Sequence, residues 1–380
     1  MQFDLTEDQR LIQQTARDFA TREIEPVAAE LDRTARWPTE IVGRMAELGF
    51  MGMCIAPEQG GSGLDAVSYV LVMEEVSRAC ASCGVIMSVN NSLFCDPLND
   101  FGTDWQKREI LAPTARGEIL GAFGLTEPAS GSDAQTMLTV AEAQGDGSYV
   151  VNGSKNFITV GPEAEHILVF ALSDKDSDKR RHTTFIVRRD MPGMSLAPHD
   201  EKMGIRAAHS CTIFFENVRV PKEYVLGERG DGFKIAMKTL DGGRIGIAAQ
   251  ALGIARAALE KAINYARERH AFGQPIMNFQ AIQWMIADCD VELEAARLLT
   301  MRAATLKDRG VRHTNESAMA KLYASEMSTR VTHRALQVHG GYGYTTEFGM
   351  ERHYRDARIT EIYEGTSEIQ RIIIAKGALG

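Results

Sequence analysis

The sequence lacks any long hydrophobic run: no stretch of its 380 residues approaches the roughly 18 consecutive apolar residues that a membrane-spanning helix needs. It also lacks an excess of positive charge, because 42 lysines and arginines face 51 acidic residues and the net charge is −9. No basic run offers the general attraction to phosphate on which nucleic-acid binders depend. The composition therefore predicts a globular chain that neither crosses a membrane nor binds a duplex.

An export signal is also missing. The first ten residues contain no basic segment followed by an apolar one, and Thr6 to Gln9 has instead the pattern of a helix N-terminal cap. We therefore expect no export. The compartment would be the cytoplasm if the protein is bacterial, and the mitochondrial matrix if this is a processed eukaryotic chain.

Cysteine is scarce, with six residues in the whole chain, which is too few for a disulfide framework. Cys80-Ala-Ser-Cys83 has the spacing of a redox motif or of half a zinc site. No second pair follows at zinc spacing, and both cysteines lie in an apolar helical run, where small buried residues are expected. We assign this pair no chemistry and predict no metal site.

The periodicity of the apolar residues divides the chain into three parts. Helical spacing of three and four dominates residues 1–118, short β-rich runs dominate 119–226, and helical spacing returns over 227–380. Within this pattern, Asp96-Pro97 predicts a helix break and Asn152-Gly153 predicts a hairpin turn between two strands. The predicted fold class is α+β: an N-terminal helical domain, a middle antiparallel β domain and a C-terminal four-helix bundle.

A glycine cluster, Gln337-Val-His-Gly-Gly-Tyr-Gly-Tyr344, follows a predicted long helix. A dinucleotide fingerprint would need a strand before its glycines, so this cluster does not indicate that fold. Two interpretations remain. The glycines could end a helix in a tight turn, or they could let the backbone approach a phosphate or an adenine closely.

Two polar segments stand near the start of the predicted sheet. Phe123 to Asp133 offers hydroxyls, backbone N–H groups and two glycines, as a loop that holds a phosphate or a ring edge would. Asn156-Phe-Ile-Thr159 places an aromatic and a hydroxyl on the same face of a strand.

Near the C-terminus, Glu364 precedes a glycine between apolar residues, and it could be either a general base or a solvated helix cap.

In combination these segments are similar to the acyl-CoA dehydrogenases, and most similar to their short-chain, butyryl-type branch. The resemblance covers the whole chain and rests on Gly124 to Asp133 and on Gln337 to Tyr344 with Glu347, Arg352 and Asp356 behind it. Two positions depart from the usual pattern, Thr136 and Val160, and both adjoin the presumed flavin site. The resemblance implies a flavoprotein that forms an α,β double bond in short acyl-CoA thioesters.

The resemblance also implies which residues bind FAD. One group would surround the flavin ring and the other would hold the pyrophosphate and adenine of an FAD bound mainly to a neighbouring subunit. The first group is Phe123, Leu125, Thr126, Ser132, Phe157, Ile158 and Thr159. The second group is Arg269, Phe272, Gln280, Gln337, Gly340 and Gly341, and Thr366 and Glu368 are also expected at the cofactor. Arg269 could otherwise be a surface arginine of a helix.

For catalysis the resemblance implies that Glu364 is the base, with its pKa raised by burial against the acyl chain and the flavin. A subset of the family places its glutamate at a position that is Gly243 here, which supports Glu364 as the base. Asp241, Arg244, Ser132 and Gly365 are the expected substrate contacts. Asp241 and Arg244 could alternatively form only an i,i+3 ion pair at a helix start.

The implied partners are an acyl-CoA substrate, an electron-transfer flavoprotein as electron acceptor, and further copies of this chain in a dimer or a tetramer. Two alternatives to a short-chain dehydrogenase stay open. The substrate could be a branched acyl-CoA, or the protein could bind flavin and CoA thioesters without turnover.

Overall fold

The computed structural model describes residues 4–174 and 181–380. The chain runs from helices through a sheet back to helices, which confirms the predicted fold class. No helix within the described ranges is both long enough and apolar enough to span a membrane.

The N-terminal part is helical. Its α-helices are α1 (Glu7–Phe19), α2 (Ala28–Thr34), α3 (Thr39–Glu47), α4 (Ala66–Ala79), α5 (Ala81–Ser88), α6 (Asp96–Phe101), α7 (Asp104–Gln106) and α8 (Ala112–Ala115). Thr6 caps α1 and exchanges hydrogen bonds with Gln9 in a capping box, as the sequence predicts. Three π-helical segments, Ala20–Ile24, Val89–Cys95 and Lys107–Leu111, interrupt these helices.

The predicted helix break at Asp96-Pro97 is wrong. The π segment Val89–Cys95 continues directly into α6, and the Asp96 N–H donates to the carbonyl of Asn91, five residues back. Pro97 has no N–H to donate, and it lies in the first turn of α6, where a proline is tolerated. The segment therefore stays helical through the proline.

The middle part is one sheet of eight strands. They are β1 (Gly121–Gly124), β2 (Val140–Ala143), β3 (Tyr149–Thr159), β4 (His166–Asp174), β5 (Arg181–Arg188), β6 (Met194–Leu196), β7 (Ser210–Val220) and β8 (Val225–Leu226). The order is β6-β7-β3-β2-β4-β5-β8, and β1 pairs with β4. Most pairs are antiparallel, but β4 runs parallel to β1 and β2, so the sheet is mixed.

The predicted hairpin turn at Asn152-Gly153 is wrong, because both residues lie inside β3. The pairing of β3 with β7 shifts register between Val151 and Gly153, and Gly153 has a φ of 143°. The glycine therefore serves an irregularity in the strand rather than a turn. The connection between β2 and β3 is a tight turn closed by a hydrogen bond from the Gly147 N–H to the Gln144 carbonyl.

The C-terminal part contains three long helices and three shorter ones. They are α9 (Gly232–Glu268), α10 (Gln280–Asp308), α11 (Thr314–His339), α12 (Gly341–Tyr344), α13 (Met350–Ile359) and α14 (Ser367–Leu379), and a small ribbon of β9 (His270–Ala271) and β10 (Gln274–Pro275) lies between α9 and α10. Helix α9 packs against both α11 and α4. The π segment Val89–Cys95 contacts β1 on one side and α9 on the other, so it joins the three parts of the chain.

Candidate active site

Glu364 lies in the loop between α13 and α14. Its backbone is left-handed, with a φ of 51°, and Gly365 follows with a φ of 94°. A glutamate rarely adopts this conformation, and such strain is concentrated at functional sites. The loop ends where the Thr366 hydroxyl accepts a hydrogen bond from the Ile369 N–H and caps α14.

The Glu364 carboxylate points at α9, against Gly243. A Cβ at Gly243 would overlap Oε2 of Glu364 and would come within 2.8 Å of the Leu93 side chain. The missing side chain therefore makes the space that the carboxylate occupies. Leu93 belongs to the π segment that also contacts β1, the strand leading into the Phe123 to Asp133 loop.

The surroundings of Glu364 favour its neutral form. Burial raises the pKa of Glu364 to about 7, although the positive charges of Lys321 and Arg244 act in the opposite direction. Oε2 is shielded from solvent and accepts no hydrogen bond from the residues that the structure describes. A carboxylate with a pKa near neutrality and one free oxygen can accept a proton from a bound molecule.

Asp241 and Arg244 lie beside Gly243 in the interior of α9, so the alternative that placed them at a helix start is wrong in that respect. They do form the i,i+3 ion pair of that alternative, with Nη1 and Oδ1 2.5 Å apart. The second oxygen of Asp241 accepts a 2.6 Å hydrogen bond from the Thr314 hydroxyl at the start of α11. Arg244 is buried, which lowers the pKa of its guanidinium, and its Nε has no partner among the described residues. This pair places a fixed cation near Glu364, and its contact with CoA stays a prediction.

The predicted flavin-ring residues lie where β1 and β3 meet. Asn156 donates its N–H to the carbonyl of Thr126 at 2.8 Å, which ties the loop after β1 to the end of β3. Phe157 and Thr159 share one face of β3, and the Phe157 side chain is 65% exposed, whereas Ile158 between them is buried. An exposed aromatic with a left-handed backbone (φ 57°) fits a residue that stacks on a planar ligand.

The rest of this group divides by burial. Leu125 is buried, so only its backbone can face a ligand, while Phe123 and Thr126 are partly exposed. Ser132 is exposed in the loop.

Three further predicted residues lie next to Glu364. Gly365 adjoins it, Thr366 caps α14 and Glu368 is exposed in the first turn of that helix. Their contacts with cofactor or substrate stay predictions.

The second predicted cofactor group is only partly assembled within one chain. Arg269, Gly340 and Gly341 line a cleft of about 490 Å³ with Tyr265 and Tyr342, and Glu364 does not line it. The guanidinium of Arg269 lies 5.7 Å from the centre of the Tyr342 ring. The other three residues, Phe272, Gln280 and Gln337, are exposed and do not line the cleft. A basic, aromatic cleft with glycine backbone suits a diphosphate next to a planar base.

A buried ion pair that the sequence does not predict supports the loop from Phe123 to Asp133. Lys155 in β3 is fully buried, and its Nζ donates to Glu127 Oε1 at 2.7 Å and to the Leu125 carbonyl at 3.1 Å. Glu127 also accepts the N–H groups of Leu138 and Thr139. The pair therefore fixes the loop that follows β1. Its partners are 28 residues apart, and no local spacing predicts them.

The sequence also does not identify Lys321 and Gln370 as residues of the site. Both are fully buried, and both donate a hydrogen bond to the Gly365 carbonyl, at 2.7 and 2.8 Å. One feature could have indicated Lys321: it is the only lysine on a stripe of α11 that is otherwise made of small buried residues, Ser317, Ala324 and Ser328. A charged residue at such a position needs a partner.

Comparison with known proteins places the whole chain in one family. The family models of the acyl-CoA dehydrogenase N-terminal, middle and C-terminal domains match residues 6–118, 122–218 and 230–379. The mitochondrial short-chain specific acyl-CoA dehydrogenase of Bos taurus is 52% identical over 372 residues, which are 98% of this chain and 90% of that protein.

Solved structures give the same family assignment. The butyryl-CoA dehydrogenase of Megasphaera elsdenii is 43% identical, with a TM-score of 0.98 over all of both chains. A chain solved in work on the electron transferring flavoprotein of Acidaminococcus fermentans is 46% identical, with a TM-score of 0.97 over all of both chains. The predicted reaction class, the short-chain branch and FAD as cofactor are confirmed, and the chain belongs to the acyl-CoA dehydrogenase family.

Proposed function

We propose that Glu364 is the base that removes the α-proton of a short-chain acyl-CoA thioester. The observation that carries this proposal is the carboxylate oxygen Oε2, which is shielded, accepts no hydrogen bond from the described residues and fills the space above Gly243. A glutamate with an ordinary pKa of about 4.3 is a poor base for such a weakly acidic proton. Burial, which raises the pKa of Glu364 to about 7, improves the match.

FAD, when bound, supplies the N5 atom that accepts the hydride from the β-carbon. Phe157 and Thr159 would contact its ring, and Arg269, Gly340 and Gly341 would hold its diphosphate. The thioester would lie between Glu364 and the face of β3, because removal of a proton and of a hydride from adjacent carbons needs an acceptor on each side. The Glu364 N–H would donate to the thioester oxygen and stabilise the negative charge that develops there.

We propose that the enzyme acts as a homodimer or a homotetramer. The cleft at Arg269 does not include Glu364. An FAD whose ring lies at Glu364 of one chain and whose diphosphate lies in the Arg269 cleft of another would therefore join two chains. Helix α10 begins four residues after Ile276, which lines this cleft, and it exposes the large apolar side chains of Trp284, Val291 and Leu298. Exposed apolar residues along one helix are typical of a surface between subunits.

We propose an electron-transfer flavoprotein as the electron acceptor. The supporting observation is the similarity to the chain solved in work on such a flavoprotein from Acidaminococcus fermentans. The compartment stays as the sequence predicts it, the cytoplasm of a bacterium or the mitochondrial matrix for a processed eukaryotic chain.

An anaerobic titration of the oxidised enzyme with straight-chain acyl-CoAs of four to sixteen carbons, and with a branched four-carbon acyl-CoA, tests the proposal. We expect butyryl-CoA to bleach the flavin fastest. Faster bleaching by the branched thioester would favour the branched-chain alternative. A spectrum that butyryl-CoA perturbs but none of the thioesters bleaches would favour a binding module and contradict the proposal.

A further inference from the structure

Lys321 lies in the middle of α11, with no exposed surface. The cost of burying an ammonium group is large unless other groups compensate for it. Burial lowers the pKa of Lys321 to about 7, and the charge of Glu364 is the main opposing influence. A lysine at such a position needs partners that compensate for its burial.

The geometric function of Lys321 is visible in the loop that carries Glu364. Its Nζ donates to the Gly365 carbonyl at 2.7 Å. The Nε2 of Gln370 donates to the same carbonyl at 2.8 Å and to the Glu364 carbonyl at 3.4 Å. Two buried donors from two different helices therefore hold one carbonyl, that of the residue directly after Glu364.

The held carbonyl lies in a stretch of unusual backbone that carries the Glu364 side chain. Glu364 and Gly365 both have positive φ, and a glutamate keeps such a conformation only where its surroundings hold it there. If the Gly365 carbonyl were released, the loop could relax toward a commoner conformation. The carboxylate would then leave the narrow space above Gly243, where it has its free oxygen.

We propose that Lys321 is a positioning residue for Glu364. Lys321 holds the Gly365 carbonyl and places a positive charge near the Glu364 carboxylate. This inference rests on the proposed role of Glu364 as the base. Lys321 does not touch the substrate. Gln370 shares the hydrogen-bonding part of the task but not the charge.

Two cations face Glu364: Arg244 on α9, which is paired with Asp241, and Lys321 on α11. Both lower the pKa of Glu364, against the larger effect of burial. Burial, and to a smaller extent the charge of Glu364, raises the pKa of Tyr69 on α4 and of Tyr363, which precedes Glu364 in the loop. Glu361 and Glu368 act in turn on Lys321. Since a nearby cation favours the ionised carboxylate, loss of Lys321 raises the pKa of Glu364. The pH at which the base becomes active should therefore rise.

The test compares three variants of the FAD-loaded enzyme: Lys321→Met, Gln370→Leu and, as a control, Lys261→Met. Lys261 is partly buried and its Nζ also donates to a loop carbonyl, that of Phe348 at 3.2 Å, but it does not contact the Glu364 loop. The rate constant of anaerobic flavin reduction by butyryl-CoA is measured from pH 6 to pH 9, together with the flavin content and the Kd of the thioester.

For Lys321→Met we expect the ascending limb of the rate to move to higher pH by about one unit and the rate at pH 7 to fall by about fivefold or more, since a midpoint that rises from about 7 to about 8 lowers the ionised fraction at pH 7 about fivefold. For Gln370→Leu we expect a lower rate at every pH with the midpoint unchanged. The Kd and the midpoint should be unchanged in Lys261→Met.

A folded, FAD-loaded Lys321→Met enzyme with an unchanged rate and pH profile would overturn the inference. If Lys321→Met cannot be isolated, Lys321→Gln takes its place, because it removes the charge but keeps a hydrogen-bond donor, and an unchanged rate and midpoint in that variant would overturn the inference. The base itself is checked separately with Glu364→Gln. An active Glu364→Gln enzyme contradicts the proposed function, whereas an inactive one beside a normal Lys321→Met enzyme contradicts only the role of Lys321.

Discussion

Gly243 and Glu364 occupy complementary positions: a side chain on the glycine would overlap the carboxylate of the glutamate. The relationship joins α9 to the loop after α13, two segments that are about 120 residues apart in the chain. It gives a physical reason why a small residue stands at position 243 when the base is supplied from position 364.

Gly243→Ala should therefore displace the carboxylate. We expect the rate of flavin reduction by butyryl-CoA to fall by about tenfold or more, because the methyl group takes the space of Oε2 and small misplacements at a reacting centre are costly. Gly43→Ala is the matched control, since Gly43 also lies in a helix and has open space around its missing Cβ. Equal rates in the two variants would show that the overlap does not matter.

The dependence of the reaction on pH follows from the raised pKa of Glu364. The base must be ionised, so kcat/KM should increase as the pH rises, with a midpoint near 7 in the free enzyme. A midpoint near pH 4.5 would mean that burial does not perturb the carboxyl group.

The same shift predicts a change in stability. The folded-state pKa lies above that of the unfolded chain, so the contribution of Glu364 to stability is fully present below about pH 4.3 and is lost as the pH rises through 7. The melting temperature of Glu364→Gln relative to that of the normal enzyme should therefore increase between pH 5 and pH 8. A constant difference across that range would contradict the shift.

The Lys155–Glu127 pair should be needed to retain FAD. Lys155→Met leaves Glu127 buried without its cation, and breaking such a pair typically costs about 3–5 kcal/mol. We expect a lower melting temperature and less flavin per chain after gel filtration. The double variant Lys155→Met/Glu127→Gln should recover part of both losses, because no unpaired charge remains. A double variant as unstable as the sum of the single variants would show that the two residues do not act together.

Arg269→Ala should weaken FAD retention and subunit assembly together, since the cleft at Arg269 is proposed to hold the diphosphate of an FAD shared between chains. Flavin absorbance and elution volume are measured on one gel-filtration run. Arg267→Ala is the control, because Arg267 lies on the same helix end but does not line the cleft. Normal flavin content in a dissociated Arg269→Ala protein would contradict the shared site.

The parts of the site that sequence reasoning found are those with a local pattern or a family motif. Glu364 before a glycine, the Phe157 and Thr159 alternation on a strand, and the Asp241–Arg244 spacing all appear within a few residues of chain. The structure adds what makes them a site: the space at Gly243 and the burial of Glu364.

Other features depend on contacts that no local pattern records. Lys155 and Lys321 are charged residues inside the protein, and each is explained only by a partner distant in the sequence. The predictions of a helix break at Pro97 and of a hairpin turn at Gly153 were wrong for a related reason. Each is typical of a break or a turn, but here a π segment and a strand irregularity accommodate it.

The role of Glu364 as the base is tested most directly by single-turnover reduction of Glu364→Gln with butyryl-CoA in the absence of oxygen. Glutamine keeps the size of the side chain but cannot accept the α-proton. The proposed mechanism predicts normal flavin content, a Kd for the thioester within about threefold of normal, and a reduction rate lower by about three orders of magnitude or more. Reduction of the Glu364→Gln flavin at a rate near that of the unaltered enzyme would contradict it.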